Sequence, residues 1–157
     1  EKLINFAKQN YPGRDFMVSD ILKLDAVSKG QFDEVFCLAV LQHIPSRELR
    51  LEALSQMSAK LSDKGRLVIS VWNLWHSPKH QPLLLRNFWL KILGKYELDY
   101  NDLLFPWKDS SGQAQSERYY HAFTKKELKK LARQTNLRLL RLDRDSHNFW
   151  FIAEKNK

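Results

Sequence analysis

Cysteine is nearly absent: Cys37, in an apolar run, is the only one among 157 residues. One thiol excludes a disulfide framework and a cysteine-based zinc site, and it fits a reducing, cytoplasmic setting. Long apolar runs are lacking as well. The longest cluster, Leu83 to Leu93, is broken by Arg86, Asn87 and Lys91, whereas a membrane span needs about 20 apolar residues. No membrane partner is therefore expected, and no secretory leader is legible at the start. The five histidines show no HExxH or similar spacing, so no metal is expected. Repeats, low-complexity stretches and linkers are missing too, which leaves one domain, residues 1–157, with enough chain to bury a core.

Charge is present but unevenly placed. Residues 1–60 carry eight Lys/Arg and eight Asp/Glu, while residues 61–157 carry eighteen and ten, so the whole net charge of +8 lies in the later part. Lys125, Lys126, Lys129 and Lys130 supply half of that excess. On charge alone a solvated lysine-rich helix is favoured over a basic face for a polyanion such as RNA.

The chain opens in a helical pattern, Glu1 to Lys8, with no initiator methionine and no capping residue ahead of it, which predicts that an upstream segment has been lost. Phe16-Met17-Val18 reads as a short strand running into Asp20. Phe32 to Val40 has the apolar density of a buried parallel strand. Ser46 is placed to cap a helix whose buried stripe is Leu49, Ala53, Leu54, Met57 and Leu61. Asp63-Lys64-Gly65 ends that helix, and Leu67 to Trp72 is a second apolar strand. Strand, helix and strand in this order predict a βαβ unit and a parallel sheet. Thr124-Lys125-Lys126-Glu127 is a capping box. Leu137–Leu142 and Phe149–Ala153 are strands joined too closely to pair other than antiparallel. Residues 73–123, with Trp75, His76, His80, Trp89, Trp107 and His121, break the alternation and are placed as a substrate-side insertion.

These features resemble the Class I S-adenosylmethionine (SAM)-dependent methyltransferases. Phe32-Asp33-Glu34-Val35 running to His43-Ile44 is similar to that family's fourth strand and the turn beside the cofactor; Lys64 to Ser70 is similar to its post-helix glycine and fifth strand. A narrower series comprises Ile44 to Arg50, Ser70-Val71-Trp72, Phe105-Pro106-Trp107, Arg118 to Phe123, and Asn148-Phe149-Trp150. It resembles the branch that esterifies the carboxymethyl group of a modified wobble uridine in tRNA. The resemblance implies an α/β, Rossmann-like sheet, mostly parallel with a C-terminal antiparallel strand pair. It also implies SAM as cofactor and the tRNA anticodon loop as partner, and it admits an activating protein subunit. The family's glycine loop, first helix and second strand do not precede Glu1. The first two strands are thus expected to be absent, with a gap in the sheet and weak SAM binding by this piece as it stands.

The same resemblance assigns Asp20 to the adenine amino group and Ile21 to the ring, and lines the methionine end with Leu38, Ala39 and Val40. For Asp20 the alternative is a turn cap. His43 either faces the reacting centre or ties the strand-to-helix turn. Arg118, Tyr120 and His121 are the substrate candidates, with Arg118 holding a carboxylate oxygen or a phosphate; packing of this segment on the core is the alternative. Trp72 and Trp107 are placed to stack on unpaired bases, and Trp150 more as core. Arg47 is a candidate contact, or with Arg50 a solvated face. The rival functions are a small-molecule methyltransferase and a non-catalytic RNA- or partner-binding module.

Overall fold

The computed structural model describes residues 1–27, 31–108, 111 and 113–156. After helix α1 (Lys2–Asn10), strand β1 (Phe32–Leu38), helix α2 (Arg47–Ala59) and strand β2 (Leu61–Trp72) form the expected βαβ unit. β1 and β2 are parallel, with Val35 opposite Leu67 and Cys37 opposite Ile69. Then come α3 (Gln81–Ile92), a separate hairpin of β3 (Asp102–Lys108) and β4 (Ala114–His121), α4 (Lys125–Arg133), and the strands β5 (Leu137–Arg144) and β6 (Asn148–Lys155). The main sheet runs β1-β2-β6-β5.

Two expectations are corrected here. The sheet is mixed rather than mostly parallel: β1–β2 is its one parallel pair among the described residues, and both β2–β6 and β5–β6 are antiparallel. The short β5–β6 connection turns the chain straight back, so β6 meets β2 in the opposite sense. Phe16-Met17-Val18 is not a strand. Among the described residues the only bridge nearby is Asp20 to Lys23, and Met17 and Val18 are exposed. Three residues without a partner strand cannot hold a ladder. β1 is consequently the edge of the sheet, with Phe36 59% and Leu38 53% exposed on the face away from the helices. A cavity of about 710 Å³, lined in part by Arg14, Phe16, Met17, Val27 and Phe32, lies between that edge and the N-terminal segment.

The helices form where their caps dictate, although of the expected α2 stripe Leu49 is 37% exposed and Leu61 already belongs to β2. Ser46 accepts a hydrogen bond from the Leu49 N–H at 3.3 Å, and Ala53, Leu54 and Met57 are buried against Leu67, Ile69 and Val71 of β2. Thr124 accepts from the Glu127 N–H at 3.2 Å, and Leu128, Leu131 and Ala132 of α4 join the same core together with Phe149, Phe151 and Ala153 of β6. Burial pushes the Cys37 thiol up to about 11, against a lowering by a backbone hydrogen bond at Leu41. It is thereby an inert core residue. Asp145 closes the β5–β6 turn, accepting from the His147 and Asn148 N–H groups and, at 2.7 Å, from the Trp150 indole. Trp150 is thus fixed within the turn.

The insertion makes a small core of its own from Leu74, Leu84, Leu103, Tyr120 and Ala122. Helix α3 buries only Leu84 fully.

The glycine expected to end α2 lies instead inside β2, where it is needed for space. A Cβ on Gly65 would lie 2.8 Å from the Phe32 carbonyl oxygen and 3.0 Å from the Ser62 backbone, while the left-handed backbone falls to Lys64 (φ 66°). Gly65→Ala must push the start of β1 away from β2. It is expected to cost about 1–3 kcal/mol, read as a lower urea midpoint at unchanged slope.

Candidate functional site

β1 and β2 end side by side, and the chain leaves β1 by a sharp bend. Ala39 has φ 54°, and its N–H is held by the Ser70 carbonyl at 3.0 Å and the Ser70 Oγ at 3.1 Å. The bend leads into a 3-10 turn, Leu41–His43, in which Leu41 and Gln42 are buried. Leu38 and Val40 flank the bend with exposed apolar side chains. His43 emerges at the end of the turn, and its Nδ1 lies 3.3 Å from the Tyr119 carbonyl oxygen, to which it donates in one tautomer.

Three rings converge there. His43 meets Tyr120 at 4.8 Å between centroids and Trp72, the last residue of β2, at 5.9 Å. Trp72 and Tyr120 stack at 5.3 Å with 22° between their planes. An offset stack of this kind is favourable and stiff, so the ends of β1 and β2 are joined to the hairpin by an aromatic wall.

The hairpin has two faces because strand side chains alternate. Leu103 lies opposite Tyr120, and Phe105 opposite Arg118, with Trp107 two residues further along. On this face the Arg118 guanidinium sits 4.7 Å from the Trp107 ring centroid, and the Lys79 ammonium 4.4 Å from that of Phe105. These residues, with Pro106 and Tyr120, line a cleft of about 480 Å³.

The other face is ionic. Asp102 lies opposite His121, and its Oδ1 accepts from His121 Nδ1 at 2.6 Å and from the Tyr119 hydroxyl at 2.7 Å. His121 Nε2 donates to Glu127 at 2.7 Å. Arg50, 3% exposed, donates to the Tyr119 hydroxyl and the Ile44 carbonyl and lies 3.9 Å from Glu127. Burial opposes a charged imidazole, but the hydrogen bonds to Asp102 and Glu127 outweigh it and hold the His121 pKa above its ordinary value. Burial and Asp102 together push the Tyr119 phenol upward. Two cations and two carboxylates thus sit together under the hairpin and tie it to α2 and α4.

The structure brings together His43, Trp72 and Tyr120 in the aromatic wall, and Trp107, Arg118 and Tyr120 in the cleft. His121 is 3% exposed and lies on the opposite hairpin face from Arg118 and Tyr120, so it is a clasp within the ionic cluster and does not face the cleft. Arg47 bonds to Gln134 beyond α4, away from both groups. Asp20 caps its own turn, its Oδ1 accepting from the Leu22 N–H at 2.9 Å, while Ile21 packs on the main core. Arg50, read as solvated, is buried; it falls on the helical spacing of Ala53, Leu54 and Met57, and that position was the available signal. Lys79 and Asp102 carried no local signal, because their partners lie on other elements; Phe105 was marked only as part of Phe105-Pro106-Trp107, and the hairpin pairing sets it opposite Arg118. Among the described residues no group of three or more His, Cys, Asp or Glu is placed to hold a metal ion, and no helix is long and apolar enough to cross a membrane.

A parallel strand pair that ends in a bend beside a helix, continued by an antiparallel pair, is a Rossmann-like arrangement. The chain belongs to the methyltransferase-domain family, whose model matches residues 3–142. It is 26% identical over 173 residues to the tRNA (carboxymethyluridine(34)-5-O)-methyltransferase of Schizosaccharomyces pombe, an alignment covering 99% of this chain and 69% of that protein. A SAM-dependent methyltransferase from Methanosarcina mazei superposes with a TM-score of 0.73 at 18% identity, covering 99% of this chain and 78% of that one. The 1,6-didemethyltoxoflavin-N1-methyltransferase of Burkholderia thailandensis, solved with its substrate and S-adenosylhomocysteine, superposes with a TM-score of 0.62 at 20% identity; 98% of this chain covers 56% of that protein. These superpositions establish the fold.

S-adenosyl-L-methionine is the cofactor of this fold family. The exposed Leu38 and Val40 side chains at the end of β1 suit its apolar stretches. The left-handed Ala39 keeps the backbone there bent open.

Proposed function

We propose that the complete protein transfers a methyl group from SAM to the carboxymethyl group of a modified wobble uridine in tRNA. Residues 1–157 would form one methyltransferase domain, with residues 73–123 as its substrate cover, working in the cytoplasm. The observation that carries this reading is the convergence of His43, Trp72 and Tyr120 where β1 and β2 end, beside the cationic cleft of the hairpin. The charge asymmetry of the sequence and the name of the fission yeast relative support it.

SAM supplies the methyl as an electrophile on a sulfonium. Leu38, Ala39 and Val40 would hold its methionine end, with Asp20 and Ile21 toward the adenine. The remaining work is positional. A carboxylate of pKa about 4 is already ionised at neutral pH, so no residue has to remove a proton. The aromatic wall offers a flat surface on which an unpaired uracil stacks, and it keeps water from the line of displacement. His43, with one nitrogen against the Tyr119 carbonyl, is part of that wall and not a base.

The test is transfer of labelled methyl from SAM by the full-length protein. Incorporation into bulk tRNA as an ester, released by mild alkali, is the expected result. Transfer to small carboxylates with none to tRNA would overturn the acceptor assigned here. Absence of SAM binding by the full-length protein would overturn the reaction itself.

A further inference from the structure

The cleft on the outer hairpin face is more specific than a basic surface. Lys79 and Arg118 come from different elements, the segment before α3 and strand β4, yet each cation lies over a ring of β3. Phe105 and Trp107 are two residues apart on one strand, so the rings are neighbours on the same face. A ring face is only a weak acceptor, so stacking fixes a cation while leaving most of its donor hydrogens available. Among the described residues neither Lys79 nor Arg118 has a carboxylate within ion-pairing distance. Of the hairpin acids, Glu117 alternates away from Arg118 along β4, and Asp102 is committed to His121 and Tyr119 on the opposite face. The nearby His80 is held toward its neutral form, by burial first and then by the charge of Lys79. Two cations that line one cleft repel one another, and a bound oxyanion relieves that repulsion.

We propose that Lys79 and Arg118 jointly hold a phosphate of the acceptor nucleotide, with Trp107 and Phe105 as the fixed floor beneath them. The inference rests on the reading of the protein as a nucleotide-directed methyltransferase. It places the anion on the far side of Tyr120 from His43: Tyr120 belongs both to the aromatic wall and to the cleft lining. A nucleotide whose base stacks on the wall would therefore reach the cleft with its backbone. The reacting carboxylate, which must stay near the end of β1, would not. The cleft's 480 Å³ falls within the range of about 300–1,000 Å³ for sites that enclose a small ligand or ligand fragment.

The experiment compares the full-length protein with Lys79→Gln, Arg118→Gln and the double variant. Both side chains are solvent-facing, so the fold should be retained, as circular dichroism and the urea midpoint would verify. In methyl transfer to tRNA, the double variant should raise KM about tenfold, with kcat at saturation falling less than threefold. Its log–log salt dependence should flatten by about one. A fall in kcat at unchanged KM and unchanged salt slope would show that the cations serve the reacting carboxylate, and would overturn the proposal. Unchanged KM, kcat and salt slope would overturn it equally.

A second arm does not depend on tRNA being the acceptor. Trp107 fluorescence, isolated by subtracting a Trp107→Phe control, should respond to uridine 5′-monophosphate in the wild type and not in the double variant. It should respond far less to uridine or to acetate. An equal response to acetate assigns the site to carboxylates, and no response to the nucleotide assigns it to no anion at all; either result overturns the phosphate assignment. A response to the nucleotide in a protein that leaves tRNA unmethylated would keep the phosphate site while removing the tRNA reading.

Discussion

Asp102→Ala is expected to lower folding stability by about 3–5 kcal/mol, seen as a fall in the urea midpoint. The carboxylate is 4% exposed and accepts two hydrogen bonds of 2.7 Å or less, from Tyr119 and His121. Its removal leaves the Arg50 guanidinium and the His121 imidazolium buried with Glu127 as their one counter-charge in the cluster. Unpaired buried charge is among the few mechanisms that give losses of this size. The pH dependence gives an independent check. Because the folded His121 pKa is raised, its protonation contributes stability that is fully present below the unfolded value of about 6.5 and is lost as pH rises through the higher folded value. Wild-type stability should accordingly decline as pH rises above the unfolded value. Asp102→Asn, which keeps the shape and removes the charge, should flatten that decline. A loss under about 1 kcal/mol in Asp102→Ala would mean that apolar packing, and not the ionic cluster, fastens the hairpin.

Tyr120→Leu is expected to reduce kcat for methyl transfer to tRNA by about 100-fold, the scale on which small misplacements of a reacting group act. SAM affinity should change little. Leucine fills much of the space that Tyr120 occupies against Leu74, Leu84 and Leu103, so the insertion's core should persist. It cannot, however, stack on Trp72 or pack as a ring against His43. Parallel measurement of SAM binding and single-turnover transfer separates the two effects. Equal losses in both would place Tyr120 in the cofactor site instead, and unchanged transfer would remove the aromatic wall from the reaction.

Local signals made the framework legible and left the site half legible. Ser46 and Thr124 announced their helices because a cap is a property of four adjacent residues. The apolar run of β2 announced a buried strand in the same way, whereas that of β1 announced a strand but not its burial: at the sheet edge only Cys37 of it is buried. Phe16-Met17-Val18 misled because a strand exists only through its partner, which three adjacent residues cannot specify. The sheet's mixed sense was obscured for a similar reason: β5 and β6 were legible as a pair, but the docking of β6 on β2 is a contact between distant segments. At the site, His43, Trp72, Trp107, Arg118 and Tyr120 were singled out by type and position, yet which of them meet, and the approach of Lys79 to Phe105, depend on contacts between distant segments. His121 was grouped with Arg118 and Tyr120 by nearness in sequence. Alternation along a strand separates such neighbours, and here it sends His121 to Asp102 and Glu127.

That alternation limits how the segment can vary in length. A residue inserted or deleted within β4 would exchange its faces. It would turn Arg118 and Tyr120 toward α2 and α4 and expel Tyr119 and His121 into the cleft. The fastening and the recognition surface would then fail in one genetic event, although neither set of side chains had been altered. Changes of two residues move the pattern along while preserving its sides. Homologous chains should therefore differ in β3 and β4 by even steps, and admit odd ones only in the connection between the two strands or at the register shift beside Trp107.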